Sequence, residues 1–279
     1  MTGAVANAEL RNFSGLLVLV GAGKMGAALL DGWLRLGLDP KTIAVIEPQP
    51  APEIAALTAR GLKLNPEQNA IAGATAVVIA VKPQIAEAAL PALAPIVAPS
   101  TVVISIMAGR TLDSLAAALN RPCALIRAMP NTPAAIGRGI TVAVPRNATA
   151  AARTLADRLL AATGAVEWID DEALMDAVTA VSGSGPAYVF LLAEALAQAG
   201  AAAGLPAALA AKLARDTVAG AGELLHRSPL AAATLRENVT SPGGTTAAAL
   251  SVLMAEDGLA ALMTRAVAAA TARSRQLAQ

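Results

Sequence analysis

The composition of this 279-residue chain excludes several classes of protein. A net charge of +1 without a basic cluster argues against nucleic acid or an anionic membrane surface as a partner. No uncharged apolar run reaches the roughly 20 residues of a membrane span. The single cysteine, Cys123, and the single histidine, His226, allow neither an internal disulfide nor a two-histidine metal site. We therefore expect a cytoplasmic protein that takes its chemistry from a cofactor and holds no metal.

The N-terminal region predicts a strand, a glycine turn and a helix. Residues 1–14 lack the apolar segment of a signal peptide, so we expect a loose leader there. The apolar run Leu16–Val20 is typical of a strand that is buried on both faces of a parallel sheet. The following GAGKMG motif matches G-x-G-x-x-G and gives the candidate cofactor residues Gly21, Gly23, Lys24, Met25 and Gly26. This context favours dinucleotide binding, and a purely structural glycine turn is the alternative.

The second predicted strand, Thr42–Ile46, ends at a carboxylate. Glu47 stands about 20 residues after the glycine motif, where a carboxylate can accept hydrogen bonds from the adenosine ribose hydroxyls. A 2′-phosphate would meet like charge there, and no Arg or Lys follows before Arg60. Glu47 therefore favours NADH over NADPH, unless its side chain points into water.

The remainder of the first half predicts a doubly wound sheet. Helices are expected over 52–60, 66–72 and 148–162, and further strands over 76–81, 101–107, 124–129, 140–144 and 165–169. In such sheets the ligand crevice lies beyond the carboxyl ends of the strands. Lys82, Met107–Gly109 and Asn131 fall at these ends. We assign residues 15–168 to a Rossmann-type dinucleotide-binding domain.

From about Asp170 the pattern is helical. Helices are predicted over 171–181, 188–203, 206–226, 228–239 and 245–276, with Ser182–Pro186 as an interruption. Alanine dominates these helices, and a domain of this size buries little surface alone. We therefore expect residues 169–279 to form an all-α domain that associates with a second subunit. His226, near a predicted helix end, is expected to cap carbonyl groups.

The loop NVTSPGGTT, Asn238–Thr246, separates two of these helices. Gly243 and Gly244 let a ligand approach the backbone closely. Thr245 and Thr246 stand where the next helix begins, and their hydroxyls and free N–H groups suit a small carboxylate. The alternative is an ordinary helix cap.

Six motifs together resemble the pyrroline-5-carboxylate reductase family over about residues 16–262. They are GAGKMG, AVKPQ, SIMAG, RAMPNTPA, DAVTAVSGSGPAYVF and NVTSPGGTT. The resemblance implies hydride transfer from NAD(P)H to the C=N carbon of 1-pyrroline-5-carboxylate, which gives L-proline. It also implies a helical homodimer, often assembled into larger rings such as decamers.

The resemblance also implies roles for individual residues. The nicotinamide would be flanked by Ala80, Val81 and Lys82 and by Met107, Ala108 and Gly109. Glu172 and Asn238 match positions that contact the cofactor. Ser241, Gly244, Thr245 and Thr246 match the substrate loop, with the Thr246 hydroxyl near the imine nitrogen. At Glu47 the family often has an uncharged polar residue.

Three other functions fit part of the pattern. A β-hydroxyacid dehydrogenase would be expected to carry a catalytic lysine on the first long C-terminal helix, and residues 188–203 contain none. A deazaflavin-dependent reductase would share the N-terminal fold without SPGGTT. A non-catalytic NAD-binding regulator would have no reason for a threonine-rich second site.

Overall fold

The computed structural model describes residues 10–277, which form two compact units. Residues 10–183 and 271–277 form the first, here called the sheet unit, and residues 184–270 form the helical unit. The helical unit is thus inserted in the sequence of the sheet unit, because the last described residues, 271–277, belong to the sheet unit again. The domain boundary placed between residues 168 and 169 stays a prediction.

The sheet unit contains eight strands within the described residues, in the order β3-β2-β1-β4-β5-β6-β7-β8. All neighbouring pairs are parallel except β6 and β7, which are antiparallel. The strands are β1 (Leu17–Val20), β2 (Ile43–Ile46), β3 (Lys63–Leu64), β4 (Ala76–Ile79), β5 (Val102–Ser105), β6 (Ala124–Met129), β7 (Gly139–Arg146) and β8 (Gly164–Trp168).

Short apolar strands form the centre of this sheet because both of its faces are covered. In β1 all four residues are buried, and their side chains alternate between the two faces. Leu17 and Leu19 contribute to one core cluster, whereas Val18 and Val20 contribute to the other.

Helices cover both faces of the sheet. Trp33 of α1 is fully buried on one face, and its indole N–H donates to the Leu159 carbonyl of α5 at 2.8 Å. Leu90 of α3 and Leu115 of α4 fill the other face. The helices of this unit are α1 (Lys24–Arg35), α2 (Pro52–Ala56), α3 (Ala86–Leu93), α4 (Leu112–Leu119), α5 (Ala150–Leu160) and α6 (Met175–Val178).

The helical unit exposes an unusual amount of apolar surface. Phe190 and Leu191 on its first helix are 63% and 62% exposed, and leucines on the later helices are exposed as well. Such patches mark surfaces that another chain covers. The helices are α7 (Gly185–Ala202), α8 (Ala207–Arg227), α9 (Ala232–Asn238), α10 (Thr245–Leu253) and α11 (Leu259–Leu277), the last of which ends in the sheet unit.

The fold class predicted from the sequence is confirmed: a Rossmann-type sheet precedes a helical C-terminal region. Several local predictions were wrong. The helix expected over 66–72 is a short 3-10 turn, Gln68–Ile71. The helix expected over 245–276 is broken before Gly258, where a Cβ would lie 2.4 Å from the Leu253 carbonyl oxygen. The interruption at Ser182–Pro186 is a π-helical turn, Thr179–Gly183, followed at once by α7.

The expected loose leader is only partly covered by the structure. Residues 1–9 lie outside the described residues. Leu10, in contrast, is fully buried, and its N–H donates to the Leu36 carbonyl at 3.0 Å. The leader prediction was therefore wrong for Leu10 and for Phe13, which packs partly buried against the same core cluster.

One stretch, Glu172–Ala202, is long and apolar enough to cross a membrane by length and composition, and an 18-residue window within it has a mean hydropathy of 1.3. It is a 3-10 turn, α6, a π-helical turn and α7 in succession, and it carries Glu172, Asp176 and Glu194. Its exposed apolar side chains are also what a subunit interface requires.

Candidate active site

The glycine loop between β1 and α1 has a distinct constraint at each glycine. Gly21 has φ +89, and a Cβ there would lie 2.8 Å from the Ala80 carbonyl oxygen. A Cβ at Gly26 would lie 2.2 Å from the Gly21 carbonyl oxygen. Nothing lies within 4 Å of a Cβ at Gly23, so this side of the loop is open. Only glycine fits the two crowded positions, and the third leaves room for a ligand.

The N-terminus of α1 is available to an anion. Its first residues are Lys24, which is exposed, and Met25, which is half-buried. Among the described residues, no side chain caps this helix at Gly23, and no acidic residue stands in its first turn. The free N–H groups and the helix dipole together favour a phosphate here.

The Glu47 carboxylate faces the glycine loop. Its Oε2 accepts from the Ala22 N–H at 2.9 Å, and its Oε1 accepts from the Gln49 N–H at 3.0 Å. The side chain is half-buried at the end of β2. Two hydrogen bonds fix the orientation of the carboxylate and leave further lone pairs for ligand hydroxyls.

The candidate nicotinamide residues lie at the carboxyl ends of β4 and β5. Ala80 and Val81 are half-buried, and Lys82 is exposed before a 3-10 turn. Met107 is only 2% exposed and packs in the core, so it offers a ligand its backbone and not its side chain. Gly109 has φ +71, and a Cβ there would lie 2.9 Å from the Leu277 carbonyl oxygen.

Two further candidate side chains are held by contacts within the sheet unit. The Asn131 Oδ1 accepts from the Ile140 N–H at 3.0 Å, which joins the end of β6 to the start of β7. The Glu172 Oε1 accepts from Arg127 Nη1 at 2.7 Å and from the Leu112 N–H at 2.8 Å. The Arg127 residue is 5% exposed. Glu172 therefore neutralises a buried cation and caps α4.

The loop of the helical unit forms a tight turn before α10. The Gly244 N–H donates to the Ser241 carbonyl at 3.0 Å, and Gly243 has φ +70. Pro242 and Gly243 at the two central positions are the pattern of a type II turn. Gly244 is the cap residue of α10, and no described side chain caps this helix. The N–H groups of Thr245 and Thr246 are thus at an uncapped helix start that suits a carboxylate.

Within the same loop, Thr246 is half-buried, whereas Ser241 and Thr245 are exposed. Asn238 is the last residue of α9 and is exposed. Thr240 and Ala247 border a hollow of about 420 Å³ in the helical unit. The hollow therefore lies between α9 and α10, next to the two ends of the loop, and residues 241–246 do not line it.

Sequence reasoning missed Asn65, which lies at the end of β3. Its side-chain amide makes two hydrogen bonds with the backbone of Glu47. Asn65 also borders a mainly apolar hollow of about 250 Å³ at the ends of β1 and β2. The dipeptide Asn65-Pro66 was a turn signal, but nothing in the sequence connected it with Glu47.

Burial changes the titration of Cys123. The pKa of the Cys123 thiol is raised because burial disfavours the thiolate. Cys123 precedes β6 and packs in the core, so it takes no part in either candidate region.

Two family models match the chain. One, described as pyrroline-5-carboxylate reductase dimerisation, matches residues 172–277. The other, described as NADP oxidoreductase coenzyme F420-dependent, matches residues 16–109. Together with the Rossmann-type sheet, these matches define an NAD(P)H-dependent oxidoreductase that has a helical dimerisation region. They also account for the exposed apolar side chains on α7, since oligomerisation covers such surfaces.

Individual relatives extend the match over almost the whole chain. The pyrroline-5-carboxylate reductase of Pseudomonas aeruginosa is 40% identical over 94% of this chain and 97% of that protein. The solved structure of the Coxiella burnetii enzyme has a TM-score of 0.87 and 31% identity, and it covers 95% of this chain and 99% of that chain. The Plasmodium falciparum enzyme, solved with NADP bound, has a TM-score of 0.79 and 28% identity, over 95% of this chain and 99% of that chain. The chain belongs to the pyrroline-5-carboxylate reductase family.

Proposed function

We propose that the protein reduces the C=N bond of 1-pyrroline-5-carboxylate with NAD(P)H and so forms L-proline. The observation that carries this proposal is the 40% identity with a pyrroline-5-carboxylate reductase over 94% of the chain. The glycine loop supports it independently, because Gly21 and Gly26 pack where a Cβ would clash and Gly23 leaves the helix N-terminus open. The substrate is a small molecule, and the protein acts as an oligomer.

The residues of the sheet unit fit the cofactor. The loop Gly21–Gly26 would hold the pyrophosphate at the start of α1. Ala80–Lys82 and Met107–Gly109 would flank the nicotinamide, which supplies the hydride. Met107 would contribute through its backbone, since its side chain is buried. Asn131 and Glu172 of the sheet unit remain proposed cofactor contacts, as does Asn238 of the helical unit. The Glu172 carboxylate already binds Arg127.

The helical unit would hold the substrate. The uncapped N–H groups at the start of α10 would bind the carboxylate, with Ser241 and Gly244 shaping the turn. The Thr246 hydroxyl would lie at the ring nitrogen, where it orients the imine and relays a proton. A protonated cyclic imine is already electrophilic, so orientation over the hydride donor is the main requirement. Orientation can lower a barrier by up to about 7–11 kcal/mol.

The position of Glu47 favours NADH as the donor. Its carboxylate is fixed beside the glycine loop by the Ala22 and Gln49 N–H groups. Ribose hydroxyls can donate to it, whereas a 2′-phosphate would be repelled.

The assembly would be a homodimer formed through the helical unit, with decamers as a larger form. The dimerisation family model covers residues 172–277, which include the exposed Phe190 and Leu191. We place the enzyme in the cytoplasm, where its single buried cysteine needs no oxidising environment.

Steady-state kinetics of the purified protein tests the reaction. We expect oxidation of NADH or NADPH that depends on 1-pyrroline-5-carboxylate and yields one proline for each cofactor oxidised. A β-hydroxyacid dehydrogenase would instead reduce NAD⁺ or NADP⁺ with a small β-hydroxyacid. Cofactor binding without turnover of either substrate would indicate a regulator and contradict the proposal.

A further inference from the structure

We infer that Asn65 is a positioning residue that sets the choice between NADH and NADPH through Glu47. The inference rests on the proposed function, because it concerns the cofactor of that reaction. Asn65 Oδ1 accepts from the Glu47 N–H at 2.8 Å, and Asn65 Nδ2 donates to the Glu47 carbonyl at 2.9 Å. One side chain thus holds both backbone polar groups of Glu47.

The shortness of β3 explains why a side chain is needed there. β3 has two residues, and its register pairs Val45 of β2 with Leu64. Glu47 therefore lies beyond the last strand pair, where its backbone has no strand neighbour on that side. The Asn65 amide supplies the donor and the acceptor that a neighbouring strand would supply. The Asn65 side chain therefore extends the hydrogen bonding of the sheet by one residue.

The backbone of Asn65 is suited to this task. Its φ of +47 lies in the left-handed region, which asparagine tolerates better than most residues. Its own N–H donates to the Val45 carbonyl at 2.8 Å, which anchors the residue to β2. The side chain can then turn back along the edge of the sheet and reach Glu47.

A series of hydrogen bonds connects Asn65 with the glycine loop through Glu47. Asn65 holds the Glu47 backbone, and the Glu47 carboxylate accepts from Ala22 in the loop. Glu47 is followed by Pro48, which has no N–H to anchor the turn. Without Asn65, the carboxylate would sample several positions, and its hydrogen bonds to ribose and its repulsion of a 2′-phosphate would both weaken.

The test is a double-mutant cycle with a matched control. Asn65→Gly keeps the left-handed backbone and removes only the amide, so an exposed position such as this one tolerates the change. Asn147 is also exposed and has φ +54, but it follows β7, which lies next to the edge strand β8 on the far side of the sheet from β3. Asn147→Gly therefore makes the same chemical change away from Glu47. Both variants are also made in the Glu47→Ser background.

The measured quantity is the NADH:NADPH ratio of kcat/KM. Asn65→Gly should lower this ratio by about 3- to 10-fold, mainly through KM for NADH, as expected for the loss of one modest interaction. Asn147→Gly should leave the ratio unchanged. In the Glu47→Ser background, Asn65→Gly should change it by less than about 2-fold, because the carboxylate that Asn65 positions is gone.

The measurements distinguish a failure of the Asn65 inference from a failure of the proposed cofactor preference or of the proposed reaction. If Glu47→Ser shifts the ratio and Asn65→Gly does not, the role of Asn65 is refuted and that of Glu47 stands. An equal effect of Asn65→Gly in both backgrounds would show that it acts on the fold in general and would also overturn the inference. If Glu47→Ser leaves the ratio unchanged, the proposed cofactor preference fails, and the inference fails with it. Absence of turnover in the wild type would contradict the proposed reaction itself.

Discussion

Replacement of Glu172 with alanine separates a structural role from a cofactor contact. The Glu172 side chain is 27% exposed, whereas the Arg127 side chain is only 6% exposed and lies 2.7 Å away. Glu172→Ala would leave the Arg127 guanidinium buried without its carboxylate. It would also remove the acceptor for the Leu112 N–H at the start of α4.

The expected loss of stability follows from these two contacts. Removal of one partner of a fully buried ion pair costs about 3–5 kcal/mol. The partial exposure of Glu172 lets water reach Arg127 and reduces that cost. Loss of the acceptor for the Leu112 N–H adds about 1 kcal/mol, although the Thr111 side chain still caps α4. We therefore expect Glu172→Ala to destabilise the sheet unit by about 2–4 kcal/mol. Glu172→Gln, which keeps an acceptor oxygen but no charge, should cost less.

Urea denaturation at a fixed protein concentration measures this loss, because oligomer stability depends on concentration. Glu167→Ala is the matched control, since Glu167 is exposed on β8. The reasoning would be refuted by a Glu172→Ala variant with unchanged stability and a raised KM for the cofactor. That outcome would show that the carboxylate serves the cofactor and not Arg127.

Four other perturbations test the remaining proposals. Thr246→Ala should lower kcat/KM for 1-pyrroline-5-carboxylate by about 10- to 1000-fold with little change in cofactor affinity, whereas wild-type turnover would exclude the hydroxyl from the reaction. Glu47→Ser should shift the cofactor preference towards NADPH by about 5- to 30-fold, mostly through KM. A wild-type enzyme that prefers NADPH, with a ratio that Glu47→Ser leaves unchanged, would contradict the role of Glu47. The wild type should be at least a dimer by light scattering, and Phe190→Glu should lower the measured mass. A stable, active wild-type monomer would overturn the proposed assembly. Because burial raises the pKa of the Cys123 thiol, its alkylation at pH 8 should be far slower in the folded protein than in urea. The stability that the neutral thiol contributes should be complete below the ordinary thiol pKa and lost as the pH rises through the raised pKa.

The sequence predicted those parts of the fold that depend on local pattern. Continuous apolar runs such as Leu16–Val20 indicated buried strands, and β1 lies there as Leu17–Val20. The glycine motif predicted the turn between β1 and α1, where Gly21 has φ +89, because only local backbone geometry is involved. Pro242 and Gly243, which interrupt helices, likewise predicted the loop before α10.

Contacts between distant residues could not be predicted in the same way. The pair Arg127–Glu172 joins residues 45 positions apart, and the Asn65–Glu47 contact spans 18 positions. From the sequence alone, Asn65, Glu47 and Glu172 could each have been an ordinary surface residue. The reversal of β7 was also hidden, because the composition of a buried strand does not record its direction.

The return of the last turns of α11 to the sheet unit has a practical consequence for dividing the protein. Ser274 is buried, and its hydroxyl donates to Asp176 Oδ1 at 2.6 Å. The helical unit is therefore an insertion between two segments of one fold and not a tail attached to it. A stop codon after Gly183 would remove residues 271–277 from the nucleotide-binding fold along with the helices. A fragment that keeps the whole sheet unit would instead need residue 183 joined to residue 271 by a linker.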